Sequence, residues 1–298
     1  MSHDAGLFNW KESVQALIES AKQNQTSAAQ MIETLESWVA QTDTVSDSPT
    51  VDDQKNASTE TLEAYKLDVA SFFSHAIHEL RNPLTSVRGY SDMLMNPMTG
   101  TLTDMQKQFM DVVRSNTRRM EGLLQDLSDM NKLRAGTLRI DLKLDMLKNV
   151  TPRLEKSLQP LADQLGRTLE IDVPQGLPFA KLDSEIVARA LTRLVENGLR
   201  YHAADAEGER KVTVRGEGVD NQLQVVIEDN GIGMTTEELK HMGEIYYRSE
   251  NEVVRIYKGS GLGVAAARGL LEAHGAEMMV ESEPQRGTTI KIRFPAVE

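Results

Sequence analysis

Apolar residues recur between positions 7 and 40 in alternating steps of three and four. Leu7, Trp10, Val14, Leu17, Ala21, Asn24, Ala28, Met31, Leu35 and Trp38 form an unbroken a/d heptad series, which predicts a helix. Ile18, Ile32 and Val39 at e positions widen the stripe beyond a two-stranded seam, so this face calls for a bundle or a docking partner. Asn24 at a d position can set register. Residues 1–41 therefore read as a sensing or dimerising helix, or as a helix packed on its own protein. Trp10 and Trp38 fit its core. From 42 to 59 the period disappears into Ser, Thr, Asp and Pro49. That stretch reads as a flexible linker, which cannot pass a helix rotation onward.

The period returns near Ser58–Glu60. Ser58 or Thr59 can cap a helix there, with Glu60 and Glu63 at its positive end. Leu62, Val69, Phe72 and Ala76 predict its buried face. Pro83 falls inside and should bend it, and Asn96-Pro97 should end it. Thr103 with Gln106 reads as a capping box opening a third helix to about Leu133. Its stripe is Phe109, Val112 and Val113, Asn116, Met120, Leu123 and Leu124, Leu127 and Met130. Two such helices make an antiparallel hairpin. One hairpin leaves an apolar face open, so two chains should pair residues 60–135 into an all-α, dimeric four-helix bundle.

After Gly136 the pattern mixes strands and helices. Leu138, Ile140, Leu142 and Leu144 alternate with polar residues as in a half-buried strand. Further strands are expected at Leu169–Val173, Lys211–Arg215, Leu223–Glu228, Glu277–Glu281 and Thr288–Phe294, and helices at about 146–165, 183–201 and 262–273. Residues 136–298 should form an α/β sandwich, a mixed sheet with helices on one face. The whole chain is thus multidomain.

Composition narrows the partners. The net charge is −12, and ten acidic against three basic residues put −7 of it in residues 1–60. That balance argues against nucleic acid and anionic membrane surfaces. There is no cysteine, which removes disulfides and thiolate chemistry and suits a reducing compartment. No apolar run approaches the roughly 18 residues of a membrane span. Met1-Ser2-His3-Asp4 does not open a signal peptide. The expected location is cytoplasmic.

Candidate chemistry lies first in Phe72-Phe73-Ser74-His75-Ala76-Ile77-His78-Glu79-Leu80-Arg81-Asn82-Pro83-Leu84-Thr85. On a helix Asn82 lies about 40° round from His78 and one turn on. A nucleophile, a base and an amide so share one spot. The run resembles the phospho-acceptor box of sensor histidine kinases. His75, one turn earlier, has no following acid.

Three motifs follow downstream. Asn197 in Leu194-Val195-Glu196-Asn197-Gly198-Leu199-Arg200-Tyr201 offers an amide oxygen to Mg²⁺. Asp229 in Glu228-Asp229-Asn230-Gly231-Ile232-Gly233-Met234 follows a strand and can accept a hydrogen bond from an exocyclic amine such as adenine's. Gly259-Ser260-Gly261-Leu262-Gly263-Val264 opens a helix, where glycine-rich backbone favours phosphate. Singly each is weak. Their order and spacing resemble the ATPase domain shared by histidine kinases, gyrase-type topoisomerases, 90-kilodalton chaperones and mismatch-repair ATPases. Together with the His78 box, histidine kinases fit best, over roughly residues 60–296.

The resemblance implies roles. His78 would be the phospho-acceptor, Glu79 its base or orienting carboxylate, and Asn82 the holder of a water for dephosphorylating a partner. Asn197 would hold Mg²⁺. Arg200 and Tyr201 would lie near phosphates and base. Asp229, Gly231 and Gly233 would form the adenine pocket, and Gly259, Ser260, Gly261, Leu262 and Gly263 the lid over the phosphates. Ile245-Tyr246-Tyr247-Arg248 matches an aromatic box before that lid, and Gly287 with Thr288 and Thr289 matches a last glycine turn. The implied cofactors are ATP and Mg²⁺, and the implied partner is a response-regulator receiver domain acting in trans. Arg193 stands where the family often has a second asparagine, and it either alters metal affinity or points away to pack. Ile77 replaces a common serine. His3, His202, His241 and His274 fit surface or packing roles. Two other classes compete: a scaffold with a degenerate ATP site, and an ATP-driven chaperone or DNA clamp, which has no need of the His78 box.

Overall fold

A computed structural model describes residues 55–202, 208–257 and 259–297, with side chains from Val69 onward. The helix expected at 7–40 and most of the linker lie outside the described residues. The described chain divides into two units, one ending at Leu124 and one spanning Gln125–Glu298.

In the first unit, α1 (Lys55–Leu94) is already helical at Lys55, inside the stretch read as linker. It runs through Pro83 without a break. Pro83 has no N–H to give the Glu79 carbonyl one turn back. The chain then turns through a short 3₁₀ segment, Pro97–Thr99, capped by the Asn96 side chain, which accepts from Met98 N at 3.0 Å. The capping box opens α2 (Asp104–Arg134) as expected: Gln106 N donates to Thr103 Oγ1 at 3.3 Å, and Thr103 N to Gln106 Oε1 at 2.9 Å. Ion pairs Arg88–Glu121 at 3.0 Å and Arg114–Asp92 at 2.9 Å tie the hairpin.

The buried line on α1 corrects the sequence reading. Ala70, Phe73, Ile77, Leu80 and Leu84 are buried, whereas Val69 and Phe72 are only half-buried. The inward stripe is rotated by one residue from the predicted one, and Ala76 belongs to both. Two adjacent apolar stripes exist on this helix, and periodicity alone does not say which faces α2.

The second unit holds β1 (Lys143–Asp145), α3 (Thr151–Leu165), β2 (Thr168–Asp172), β3 (Ala180–Leu182), α4 (Ser184–Arg200), β4 (Lys211–Val219), β5 (Gln222–Asp229), α5 (Thr236–His241), α6 (Glu252–Ile256), α7 (Gly263–Glu272), β6 (Glu277–Glu283) and β7 (Gly287–Arg293). Five strands form a sheet in the order β2-β4-β5-β7-β6, with only β2–β4 parallel. Val212, Val214, Val225, Ile227, Ile290 and Ile292 line one face. Leu154 and Leu158 of α3, Leu191 and Val195 of α4, and Leu270 and Leu271 of α7 cover it. The opposite face carries cross-strand ion pairs, Arg215–Glu228 at 2.8 Å and Lys291–Glu281 at 2.8 Å. This is the expected sandwich, apolar inside and charged outside.

The strand read at 138–144 is a correction. Only Lys143–Asp145 pair, antiparallel to β3, in a separate two-stranded sheet. Leu138 and Ile140 pack on the core without strand pairing, while Leu142 and Leu144 are exposed. Apolar alternation there reports packing by an extended segment, not a ladder.

Candidate active site

On α1, His78 and Asn82 are both exposed, on successive turns. The His78 ring is 68% exposed, with Nδ1 4.0 Å from Glu79 Oε1. That distance gives charge proximity without a hydrogen bond. Leu80 and Leu84 are buried around this turn, so the backbone is held while the ring is presented to solvent. His75, one turn back, is also exposed.

In the second unit a site forms where α4, the end of β5 and the start of α7 meet. Asp183 caps α4, accepting from Glu185 N and Ile186 N, both at 3.2 Å. Asp183 N donates to His274 Nε2 at 3.3 Å, and His274 Nδ1–H donates to Leu270 O at 2.7 Å. Buried His274 therefore ties α4's start to α7, a structural role. Asn197 is half-buried on the last turns of α4.

Asp229 ends β5. Its Oδ1 accepts from Gly231 N at 2.9 Å. Burial pushes its carboxyl up to about 6, against the backbone hydrogen bonds from Gly231 and Thr288. Gly198 of α4 packs directly on it: a Cβ there would meet Asp229 Cβ at 3.2 Å and Oδ2 at 3.4 Å. Gly231 faces the same carboxylate, where a Cβ would come within 2.8 Å of Oδ1. The two glycines leave a narrow cradle around a carboxylate set to accept hydrogen bonds. Such a donor-seeking group fits the exocyclic amine of adenine. Gly233 has φ +61 and runs against the Glu283 carbonyl, so no side chain fits there.

Tyr201 closes α4. Its carbonyl accepts from Ile232 N at 3.0 Å, joining the helix end to the Asp229 turn. Burial raises its phenol pKa, and its ring meets Tyr257 edge-on at 6.0 Å. Arg200 is the last residue of α4, half-buried. His202 is buried. Burial, then the charges of Arg167 and Arg210, push it down to about 4. It is therefore neutral at ordinary pH, and packing is its role.

The glycine-rich stretch approaches the aromatic box. Gly261 has φ +74, and a Cβ there would lie 2.7 Å from Tyr246 Cα, itself at φ +66. Ser260 Oγ accepts from Leu262 N at 3.2 Å, and Gly263 opens α7. The sequence did not single out how this stretch is held. Arg248 donates to the carbonyls of Gly259 at 3.1 Å, Val254 at 2.8 Å and Tyr257. One planar guanidinium thus gathers the whole segment before the glycines.

Arg193 is held between two carboxylates. Its Nε lies 2.6 Å from Asp126 Oδ1 on the last turns of α2, and its Nη1 3.7 Å from Glu196. Beside it Arg189 lies 3.4 Å from Asp129. Among the described residues no cluster of three His, Cys, Asp or Glu side chains could hold a metal ion. Within the motif, Glu196 and Asn197 are adjacent oxygen donors, and the Glu196 carboxylate lies near Arg193.

An exposed histidine on a helical hairpin, followed by a carboxylate-and-glycine pocket on an α/β sandwich, defines a two-part protein with a phospho-acceptor and an ATPase-type domain. The comparisons agree. Residues 68–136 match the His Kinase A (phospho-acceptor) domain, and residues 182–298 match the histidine kinase-, DNA gyrase B- and HSP90-like ATPase. The chain belongs to the sensor histidine kinases of two-component systems.

Histidine protein kinase DivJ of Caulobacter vibrioides is 28% identical over 245 residues, 82% of this chain and 40% of DivJ. The non-motile and phage-resistance protein of the same organism is 28% identical over 227 residues, 76% of this chain and 27% of that protein. This chain thus spans less than half the length of either relative. The structure of full-length ShkA in complex with AMPPNP shares the fold at TM-score 0.58 and 20% identity, covering 75% of this chain and 45% of ShkA. No helix among the described residues is long and apolar enough to cross a membrane.

Proposed function

We propose that this chain transfers the γ-phosphoryl group of Mg²⁺-bound ATP to His78, and from there to an aspartate on a separate response regulator. The carrying observation is a solvent-presented His78 beside Glu79, in one chain with the Asp229 pocket. Neutral imidazole is the nucleophile. Glu79 orients the ring and takes its second proton. Asp229 reads the adenine amine, Asn197 holds the metal, and Arg200, Tyr201 and the residues from Gly259 to Gly263 enclose the phosphates. Bound metal would spread charge on the phosphoryl group, where positioning and electrostatics dominate catalysis. Residues 60–135 pair two chains into a four-helix bundle, and residues 136–298 form the catalytic domain. Asn82, one turn after His78, positions water for removing the phosphoryl group from the regulator, making the enzyme bifunctional.

The test is incubation with γ-labelled ATP and Mg²⁺ beside His78→Gln and His75→Gln. Acid-labile, base-stable label should vanish only in the His78 variant. Label that survives His78→Gln would sink the assignment. ATP binding without label in the parent would favour a scaffold. For the second activity, Asn82→Ala should retain label yet lose dephosphorylation of a phosphorylated receiver. Unchanged dephosphorylation removes the phosphatase reading.

A further inference from the structure

Arg193 and Asn197 stand four residues apart on α4, on one helix face. The face turns toward the start of α7. A Cβ on Gly263, the first residue of α7, would lie 3.7 Å from Asp126 Oδ2 and 3.9 Å from Arg193 Cδ. The Asp126 carboxylate is thus wedged between a guanidinium and the amino end of a ten-residue helix. The first amides of that helix have no carbonyl partner within it, and its dipole favours negative charge. A guanidinium beside a glycine-rich helix start is the arrangement a phosphate takes.

We propose that Asp126 is an internal competitor for the phosphates of the nucleotide: its carboxylate holds Arg193 at the start of α7, and the incoming triphosphate displaces it and takes over the guanidinium. The proposal rests on the nucleotide-site reading above and adds Arg193 to the site as a phosphate ligand with a built-in block.

The hold on Arg193 is suited to displacement. Asp126 is largely buried, and burial outweighs the attraction of Arg193, while Glu196 and Asp129 add repulsion. Together these push its carboxyl up to about 6. A buried ion pair whose desolvation exceeds its attraction is a weak clamp. A triphosphate brings more charge to the same guanidinium. The neighbouring Arg189–Asp129 contact at 3.4 Å is a second tie between α2's last turns and α4. Exchange at Arg193 therefore does not require that end of α2 to leave.

The experiment measures dissociation constants of ATP and of adenosine for the full chain, for Asp126→Asn, Arg193→Gln and the double variant. If Arg193 is free in about a tenth of molecules, removing the competitor tightens ATP about tenfold. Adenosine, lacking phosphates, should bind all four proteins alike. Arg193→Gln should weaken ATP, and Asp126→Asn should have no effect in that background. The double variant replaces the pair by neutral amides, so it keeps the test valid if Arg193→Gln alone unfolds. Unchanged or weaker ATP binding in Asp126→Asn overturns the proposal. So does an equal gain with adenosine, or an equal gain without Arg193. A parent that binds adenosine but not ATP supports the block when Asp126→Asn restores ATP, and overturns it when that variant does not. A parent that binds neither ligand overturns the nucleotide-site reading itself, and the competition with it.

Discussion

Asp229 shows how one buried side chain links stability to binding. Its carboxyl is pushed up to about 6 by burial. Between its ordinary pKa near 4 and that value, the folded protein holds a proton the unfolded chain has released. Stability therefore falls as pH rises through this window and levels off above it. The two-unit shift corresponds to on the order of 3 kcal/mol. Asp126, also raised to about 6, adds a slope of the same sign. His202, pushed down to about 4, adds a slope of the opposite sign over the same range, so the readout is the difference between two proteins. Relative to the parent, Asp229→Asn should gain on the order of 3 kcal/mol between pH 4 and pH 7 by denaturant unfolding. It should also weaken ATP by at least about tenfold, because the new amide sets a donor against the adenine amine. An unchanged slope with unchanged ATP binding would refute both roles. At this scale the motif residues were legible because chemistry dictates their type: a carboxylate for an amine, glycine where a backbone must pass close. The Asp126–Arg193 pair was not, since its partners lie 67 positions apart and no spacing rule joins them.

Among elements, one guanidinium fork gathers three carbonyls of the segment from α6 to α7, beside the contacts of the Tyr257 side chain with Tyr201 and Arg167. Arg248 holds the carbonyls of Val254, Tyr257 and Gly259. Arg248→Lys keeps the charge but cannot span three acceptors in a plane. It should behave like Arg248→Ala, with amides of residues 249–257 exchanging faster and ATP binding several-fold more weakly. Restoration of both by lysine would show that charge alone suffices. Long elements were readable because their periods are long: the Thr103–Gln106 box opens α2, and β5 and β7 lie within a residue or two of their expected bounds. Errors fell where local pattern and tertiary packing part. β4 runs to Val219, past the expected end at Arg215, because Gly216 gives strand propensity no support. There a Cβ would lie 2.6 Å from Leu177, so packing selects glycine within a strand. Asp220 and Asn221, both at positive φ, then close a two-residue hairpin. The short β3, α5 and α6 have too few residues to show a period.

For the molecule as a whole, the hairpin carries its own argument for a second copy. Tyr90 is 69% exposed, Phe109 63% and Val112 59%, with Val87, Met93 and Met105 also open to solvent. An apolar face of this extent is unusual on a monomer. The ion pairs Arg88–Glu121 and Arg114–Asp92 tie the two helices together, but they cover none of it. Fully burying one such aromatic side chain contributes roughly 1.5–3 kcal/mol, and a symmetric pairing counts each residue twice. Phe109→Glu therefore removes two burials and places two unpaired carboxylates in the seam. The parent should sediment as a dimer, with a melting temperature that rises with protein concentration, as for any fold stabilised by association. Phe109→Glu should sediment as a monomer across the micromolar range, with a concentration-independent melting temperature. ATP binding should persist, since the Asp229 pocket is built from residues 197–289. A parent that stays monomeric at high concentration, or a Phe109→Glu variant that still dimerises, would show that this face meets something other than its own copy.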